Sequence, residues 1–335
     1  MKRQLHPFAR FINILGRGKT LTRSLTIEEA EEAMAMILNG ETLPEQLGAF
    51  LMLLRVKEES PAEIAGFVRA ARATMPPPAG APHVDLDWSS YAGKGRQLPW
   101  FILSALILAR NGWRIFMHGA EAHTEGRVYT GAALEALGIP VSASLEDAAD
   151  RLSKENFAYL PIDSLSPAIA DMLELRPILG LRSPVHTFAR MLNPFAAPAM
   201  LQGVFHPGYM RIHRDAGLIL GQPRLAVFRG EGGEIERRPN KPCEVMMAID
   251  GQAVDERWPP KIDEPRQAPD ESMRLSRLAA LWRGAIDDEY GEAAVVGTLA
   301  IALRTLGVAQ DAADAEAQAR ALWSARERNR LAAAA

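Results

Sequence analysis

Residues 83–119, HVDLDWSSYAGKGRQLPWFILSALILARNGWRIFMHG, decide the fold class. HVDLDW reads as a short strand, 98–111 as a buried helix, and WRIFMHG as a second strand ending in glycine. Strand, helix and strand in that order make the βαβ unit of an α/β domain, a mostly parallel sheet flanked by helices. Between the first strand and the helix lies SSYAGKGRQLPW (89–100). A glycine-bearing turn at this place can aim backbone N–H groups at an anion, helped by the positive end of the helix. As a bare string AGKGR matches neither the Walker pattern nor GxGxxG, and an ordinary turn is its plain reading.

Upstream of this unit the chain is helical. LTIEEAEEAMAMILNG (25–40) has Thr26 as N-cap, Glu29 completing a capping box, and Gly40 as the stop. LPEQLGAFLMLLRVKEES (43–60) is a second helix, rich in Leu and Met. SPAEIAGFVRAARATM (60–75) is a third, with Ser60 as cap, Pro61 at the first helical position and Glu63 closing the box. PPPAGAP (76–82) breaks the pattern and marks a hinge. The division is a helical domain over 1–75 and an α/β domain over 82–335. Downstream, AYLPID, RLAVFRG and PCEVMMAI supply further strands, and 289–307 and 312–330 close the chain as helices.

With 335 residues, 48% of them hydrophobic, the chain can bury one large domain or two unequal ones. No run of eighteen uncharged apolar residues is present, which argues against a membrane span. Arg10 interrupts the apolar part of the N-terminus and no small-residue cleavage site follows, so a signal peptide is not expected and cytoplasm is the expected location. The single Cys243 excludes an internal disulfide and a cysteine metal cluster.

A net charge of −3 points to no partner, but the charge is segregated. From Leu175 to Arg214 there are five arginines, three histidines and no acidic residue. Arg182, His186 and Arg190, four apart, would share one helical face, and guanidinium forks suit phosphate oxygens. Solvated cations on several faces are the plain alternative. In FMHGAEAHTEGR (116–127) the strand end places His118 at the carboxyl edge of the sheet, where α/β ligands sit. Its His and Glu residues fit no common zinc spacing, and a solvated loop is the simpler reading. In RGEGGEIERRPNKP (229–242) carboxylates could hold Mg²⁺, yet no two are adjacent, and a mixed-charge turn is preferred.

Taken in order, these segments resemble the anthranilate phosphoribosyltransferase (TrpD) family over nearly the whole chain. The likeness runs through GRGKTLTRSLTIEEAEEAMAMILNG, the HG strand end followed by ALEALGIPV, and RPILGLRS with LNP after it. It implies a small helical domain, with a further inserted helical piece at roughly 145–200, joined to a larger α/β domain of the class II phosphoribosyltransferase fold. It also implies a homodimer formed through the helical domain. The family's GTGGD loop, which takes the pyrophosphate of phosphoribosyl pyrophosphate, corresponds to Ala92-Gly93-Lys94-Gly95-Arg96 here, without the aspartate. The asparagine-serine-threonine run after it corresponds to Leu98-Pro99-Trp100-Phe101. Of the lysine-histidine-glycine-asparagine-arginine stretch, Met117–Glu121 keeps His118 and Gly119. Arg176 matches the arginine that contacts anthranilate, Ser166 stands in place of a pocket histidine, and the Asp-Glu metal pair becomes Gly233-Glu234.

The pattern is similar to the TrpD-like branch typified by YbiB, for which the resemblance implies binding of nucleic acid, single-stranded or non-specific, with little sequence preference. On that reading Lys94, Arg96, Arg127, Arg176, Arg182, Arg190 and His118 face DNA or RNA phosphates. Arg17, Lys19, Gly93, Gly95 and Gly119 assist, Trp100, Tyr91 or His118 stack on bases, and no cofactor is needed. The alternative is an active phosphoribosyltransferase that uses Mg²⁺ through Glu234.

Overall fold

The computed structural model describes residues 4–18, 20–122, 124–263 and 266–331. Four helices open the chain: α1 (Ala9–Gly16), α2 (Ile27–Leu38), α3 (Pro44–Lys57) and α4 (Pro61–Ala73). Both expected capping boxes form. The Thr26 hydroxyl accepts from the Glu29 amide at 3.2 Å while Glu29 accepts from the Thr26 amide at 2.9 Å. In the second box Glu63 accepts from the Ser60 amide at 2.7 Å. That carboxylate is buried and also takes the Leu25 amide and the Lys57 ammonium, so one side chain caps α4 and ties it to the entry of α2 and the exit of α3.

Seven strands form one sheet in the order β3-β2-β1-β4-β5-β6-β7. They are β1 (Leu86–Ser90), β2 (Ile115–Gly119), β3 (Phe157–Pro161), β4 (Ala199–Val204), β5 (Arg224–Arg229), β6 (Cys243–Ile249) and β7 (Gln252–Trp258). The first five in the sheet run parallel, and β6 and β7 return antiparallel. β1, β2 and β4 are buried along their whole length, as strands covered on both faces must be. One face packs on the helical domain. The other packs on α5 (Phe101–Arg110), a helix apolar all round, and on the helix Glu289–Leu306. No helix among the described residues is long and apolar enough to cross a membrane.

Strand order reverses between β1 and β4, and in open α/β sheets the crevice at such a reversal is where ligands sit. The AGKGR turn leaves β1 at this point. Neither β4 nor β7 is legible in the sequence. AMLQGV has few β-branched residues and follows a proline-rich stretch, and QAVDERW is a charged edge strand.

The piece expected as an insertion of helix at 145–200 contains β3, whose FAYLP run pairs with β2 in parallel register. The helix Leu145–Glu155 packs against β3. Helical-domain contacts come instead from the short helices between 162 and 191: Phe188 meets Phe67 edge-on at 5.9 Å, and Arg72 donates to the carbonyls of Met191 and Leu192. Arg182, His186 and Arg190 do not share one helix. Ser183, preceding Pro184, lies outside the helix, which runs over Val185–Phe188 and continues as a 3-10 turn over Ala189–Met191, so His186 and Arg190 share it and Arg182 does not.

Candidate anion-binding cleft

The turn after β1 meets a second turn, 230–236, leaving β5. Amides of Ala92 and Gly93 donate to Glu234 Oε2 at 3.0 and 2.7 Å. Those of Gly95 and Arg96 donate to Glu231 Oε1 at 3.2 and 2.7 Å. Lys94 is 0% exposed, with Nζ 2.6 Å from Glu236 Oε1 and 2.9 Å from Glu231 Oε2. Burial pulls its ammonium down, but the two carboxylates outweigh burial and hold it above the ordinary lysine range.

Three expectations are corrected here. Lys94, Gly93 and Gly95 do not present charge or N–H groups to solvent, because carboxylates of the same chain already occupy them. A buried ammonium needs a countercharge, and the 231–236 turn supplies it from across the sheet. Sequence reading treated the two turns separately, and their meeting depends on strand order.

His118 and Gly119 are structural too. His118 is buried, Nδ1 2.8 Å from the Tyr91 hydroxyl and Nε2 3.3 Å from Asp87 Oδ1. A Cβ on Gly119 would lie 1.8 Å from the Ser90 carbonyl oxygen, so this position admits only glycine for β2 to pack against β1. Tyr91 and Trp100 are buried and offer no face to a base.

The arginines do converge. Arg127 donates to the Ala92 carbonyl at 2.6 Å, and Arg176 reaches Thr124 Oγ1 at 3.4 Å. Arg190 is buried above the Tyr91 ring, its centroid 5.6 Å away, and donates to the carbonyls of Gly203 and His186. Burial brings its guanidinium down to about 10, with Glu234 opposing and Arg182 adding to the fall. The Arg182 guanidinium is lowered first by burial, then by Arg176 and Arg127, with a smaller push from Arg55. Arg176, Arg127 and Arg55 therefore lie near enough to Arg182 for their charges to act on it.

Arg96 is exposed beside this group. Arg17, at the end of α1, bonds Asn13 and is not among the residues lining the cleft, and Lys19 lies outside the described residues.

Several lining residues escaped the sequence reading. Arg55 comes from α3 and donates to the Tyr209 hydroxyl at 2.9 Å. Phe205 and His206 leave β4, and Phe205 is 49% exposed. Glu59 accepts from Thr187 at 2.8 Å, and burial raises its carboxyl. Recognising AMLQGV as a strand would have put FHP at a strand exit, the signal that was available.

Gly233 sits at φ +92°, and a Cβ there would lie 3.1 Å from the Phe205 amide nitrogen, so the carboxylate-bearing residue the resemblance places here would be strained and tightly packed. Glu234 is spent on backbone: Oε2 takes the two loop amides and Oε1 takes the Ile235 amide at 2.8 Å.

Comparison with known proteins agrees with this architecture. Residues 9–75 match the glycosyl transferase family, helical bundle domain. Anthranilate phosphoribosyltransferase of Oleidesulfovibrio alaskensis is 34% identical over 227 residues, 67% of this chain and 68% of that protein. The Escherichia coli protein YbiB is 30% identical over 253 residues, 74% of this chain and 78% of YbiB. The crystal structure of TrpD from Thermus thermophilus superimposes with a TM-score of 0.78 at 24% identity, covering 96% of this chain and 95% of the other. The Saccharomyces cerevisiae enzyme in complex with PRPP and Mg superimposes with a TM-score of 0.74 over 95% and 93% of the two chains, at 14% identity. By helical domain, sheet order and shared sequence, the chain belongs to the anthranilate phosphoribosyltransferase (TrpD) family.

Proposed function

We propose that this chain binds the backbone of nucleic acid with little sequence preference, and that its phosphoribosyl pyrophosphate site has become degenerate. One observation carries the reading: the amides that would cradle a diphosphate are occupied by Glu234 and Glu231. A sugar diphosphate arriving there would meet carboxylates in place of free N–H donors. As placed, the Gly233-Glu234 pair does not fit a diphosphate-bound Mg²⁺, since the first has no carboxylate and the second has its oxygens on backbone amides. No cofactor enters this reading.

Nearby, Arg55, Arg182 and Arg190 line the cleft, and the charges of Arg127 and Arg176 act on Arg182. Guanidinium groups bring their own countercharge to standing phosphodiesters and read no sequence. A homodimer through the helical domain, which exposes Leu5, Leu21, Leu43 and Val56, is part of this reading. A dimer would double the track. The cytoplasm is the compartment that goes with this reading.

The test is fluorescence anisotropy with a labelled oligonucleotide of random sequence. Binding that weakens steeply with salt, and weakens further in Arg176→Ala/Arg182→Ala, is expected. Affinity indifferent to salt would overturn the proposal.

A second reading, an active phosphoribosyltransferase, is favoured by the 34% identity to the O. alaskensis enzyme and by likeness to a yeast enzyme seen with PRPP and Mg. Loss of anthranilate fluorescence in the presence of phosphoribosyl pyrophosphate and Mg²⁺ would establish it.

A further inference from the structure

A second group of arginines lies at the same edge of the sheet, beyond Phe205. Arg229 ends β5, Arg238 follows the 230–236 turn, and Arg257 is the penultimate residue of β7. With Pro242, Cys243 and Glu244 they line a pocket of about 140 Å³. Among the described residues, no ion pair within 4 Å joins any of the three to a carboxylate. Their neighbours Arg237 and Arg304 pair with Glu316 and Glu256. Arg238 Nε is buried with no hydrogen-bond partner. Burial first and Arg229 second lower its guanidinium, with Tyr290, Cys243 and Glu231 opposing more weakly.

Phe205 connects this pocket to the cleft. Its carbonyl accepts from Arg229 Nε at 3.1 Å, and its ring lines the cleft shared with Arg55, Arg182 and Arg190. The ring stands edge-on to His206 at 4.8 Å, with nearly half of the residue exposed. A large apolar ring kept in water between two sets of cations fits neither core packing nor a bare phosphate site. It does fit a chain that alternates charge with flat aromatic faces.

We propose that Phe205 is a base-stacking platform between two phosphate-binding clusters, the cleft arginines and the Arg229–Arg238–Arg257 pocket, and that the preferred ligand is single-stranded nucleic acid. An aromatic side chain reaches the face of a base only where that base is unpaired, while a duplex offers phosphates and base edges. The proposal rests on the nucleic-acid reading above and adds strandedness and path to it.

The experiment measures binding of labelled oligothymidylate and of a mixed-sequence duplex to the intact chain across a salt series. Phe205→Ala, Phe205→Trp and Arg229→Ala/Arg257→Ala all alter exposed positions, and circular dichroism confirms their folding. The parent is expected to favour the single strand. Phe205→Ala weakens that binding about tenfold and leaves the duplex unaffected, and Phe205→Trp keeps it. Arg229→Ala/Arg257→Ala lowers the slope of log affinity against log salt by about 1.4, near 0.7 for each single-strand phosphate no longer neutralised. Equal affinity for both ligands, or a Phe205→Ala variant that binds oligothymidylate like the parent, overturns the inference. So does saturable binding of inorganic phosphate to the arginine pocket that Arg229→Ala/Arg257→Ala abolishes while oligothymidylate affinity is unchanged. If the parent binds neither oligonucleotide, the broader reading fails and takes this one with it. If only Arg176→Ala/Arg182→Ala weakens binding, the broader reading stands without it.

Discussion

Lys94 and Glu236 form a buried ion pair, Nζ to Oε1 2.6 Å, that joins the turn after β1 to the turn after β5. Each is 0% exposed, so neither charge has water to fall back on. Lys94→Met leaves the buried Glu236 carboxylate without its cation, with partly buried Glu231 nearby. That is expected to cost about 3–5 kcal/mol, the usual penalty for orphaning a buried charge. The double variant Lys94→Met/Glu236→Gln should cost less than the sum of the two single changes. Urea denaturation of the four proteins checks this, and strict additivity would disprove the coupling.

Glu234 Oε2 holds the first two amides of the turn after β1. Glu234→Ala leaves the amides of Ala92 and Gly93 without an acceptor, at a cost of about 1–3 kcal/mol. Pyrophosphate added to this variant is expected to raise its melting temperature by binding the vacated amides, with no comparable effect on the parent. Melting curves that respond alike in both proteins would remove the idea that a carboxylate plugs the loop.

His213 is buried beside Gln202, Nδ1 to Oε1 2.6 Å, and burial with some help from Arg190 depresses its imidazole to about 3. The unfolded chain binds a proton on this side chain at pH values where the folded chain refuses one. The stability contribution is therefore complete above the ordinary histidine value near 6.5 and drains away as pH falls from there toward 3. Each pH unit in that window costs about 1.4 kcal/mol. Denaturation midpoints at pH 7, 6 and 5 should fall in the parent and less steeply in His213→Gln.

Gly119→Ala is expected to cost about 3 kcal/mol or more, since the added carbon would sit 1.8 Å from the Ser90 carbonyl and force β1 and β2 apart. Chemical denaturation of soluble variant measures it. A cost near zero would mean that the two strands are not packed as described.

Local signals in the sequence were enough to read both capping boxes, α5, five strands and the helical ends, because caps, apolar runs and glycine stops act over a few residues. Arg127, Arg176, Arg182 and Arg190 were also legible as cations, and the fold brings the Arg176 and Arg127 charges to bear on Arg182. Lys94 and His118 were misread for one shared reason. The sign of a charged side chain can be seen in a string, but its partner cannot when that partner lies far along the chain. Phe205 was missed because AMLQGV carries too few β-branched residues to read as a strand, so nothing marked FHP as a sheet edge.

The turns held by Lys94 and Glu236 are 142 positions apart along the chain. Bringing such distant points together spends chain entropy before any contact repays it, so this closure is expected late in folding rather than in its nucleus. Weakening the pair should then leave the refolding rate nearly as it was and make the native protein unravel faster, so that the two turns act as a latch on kinetic lifetime.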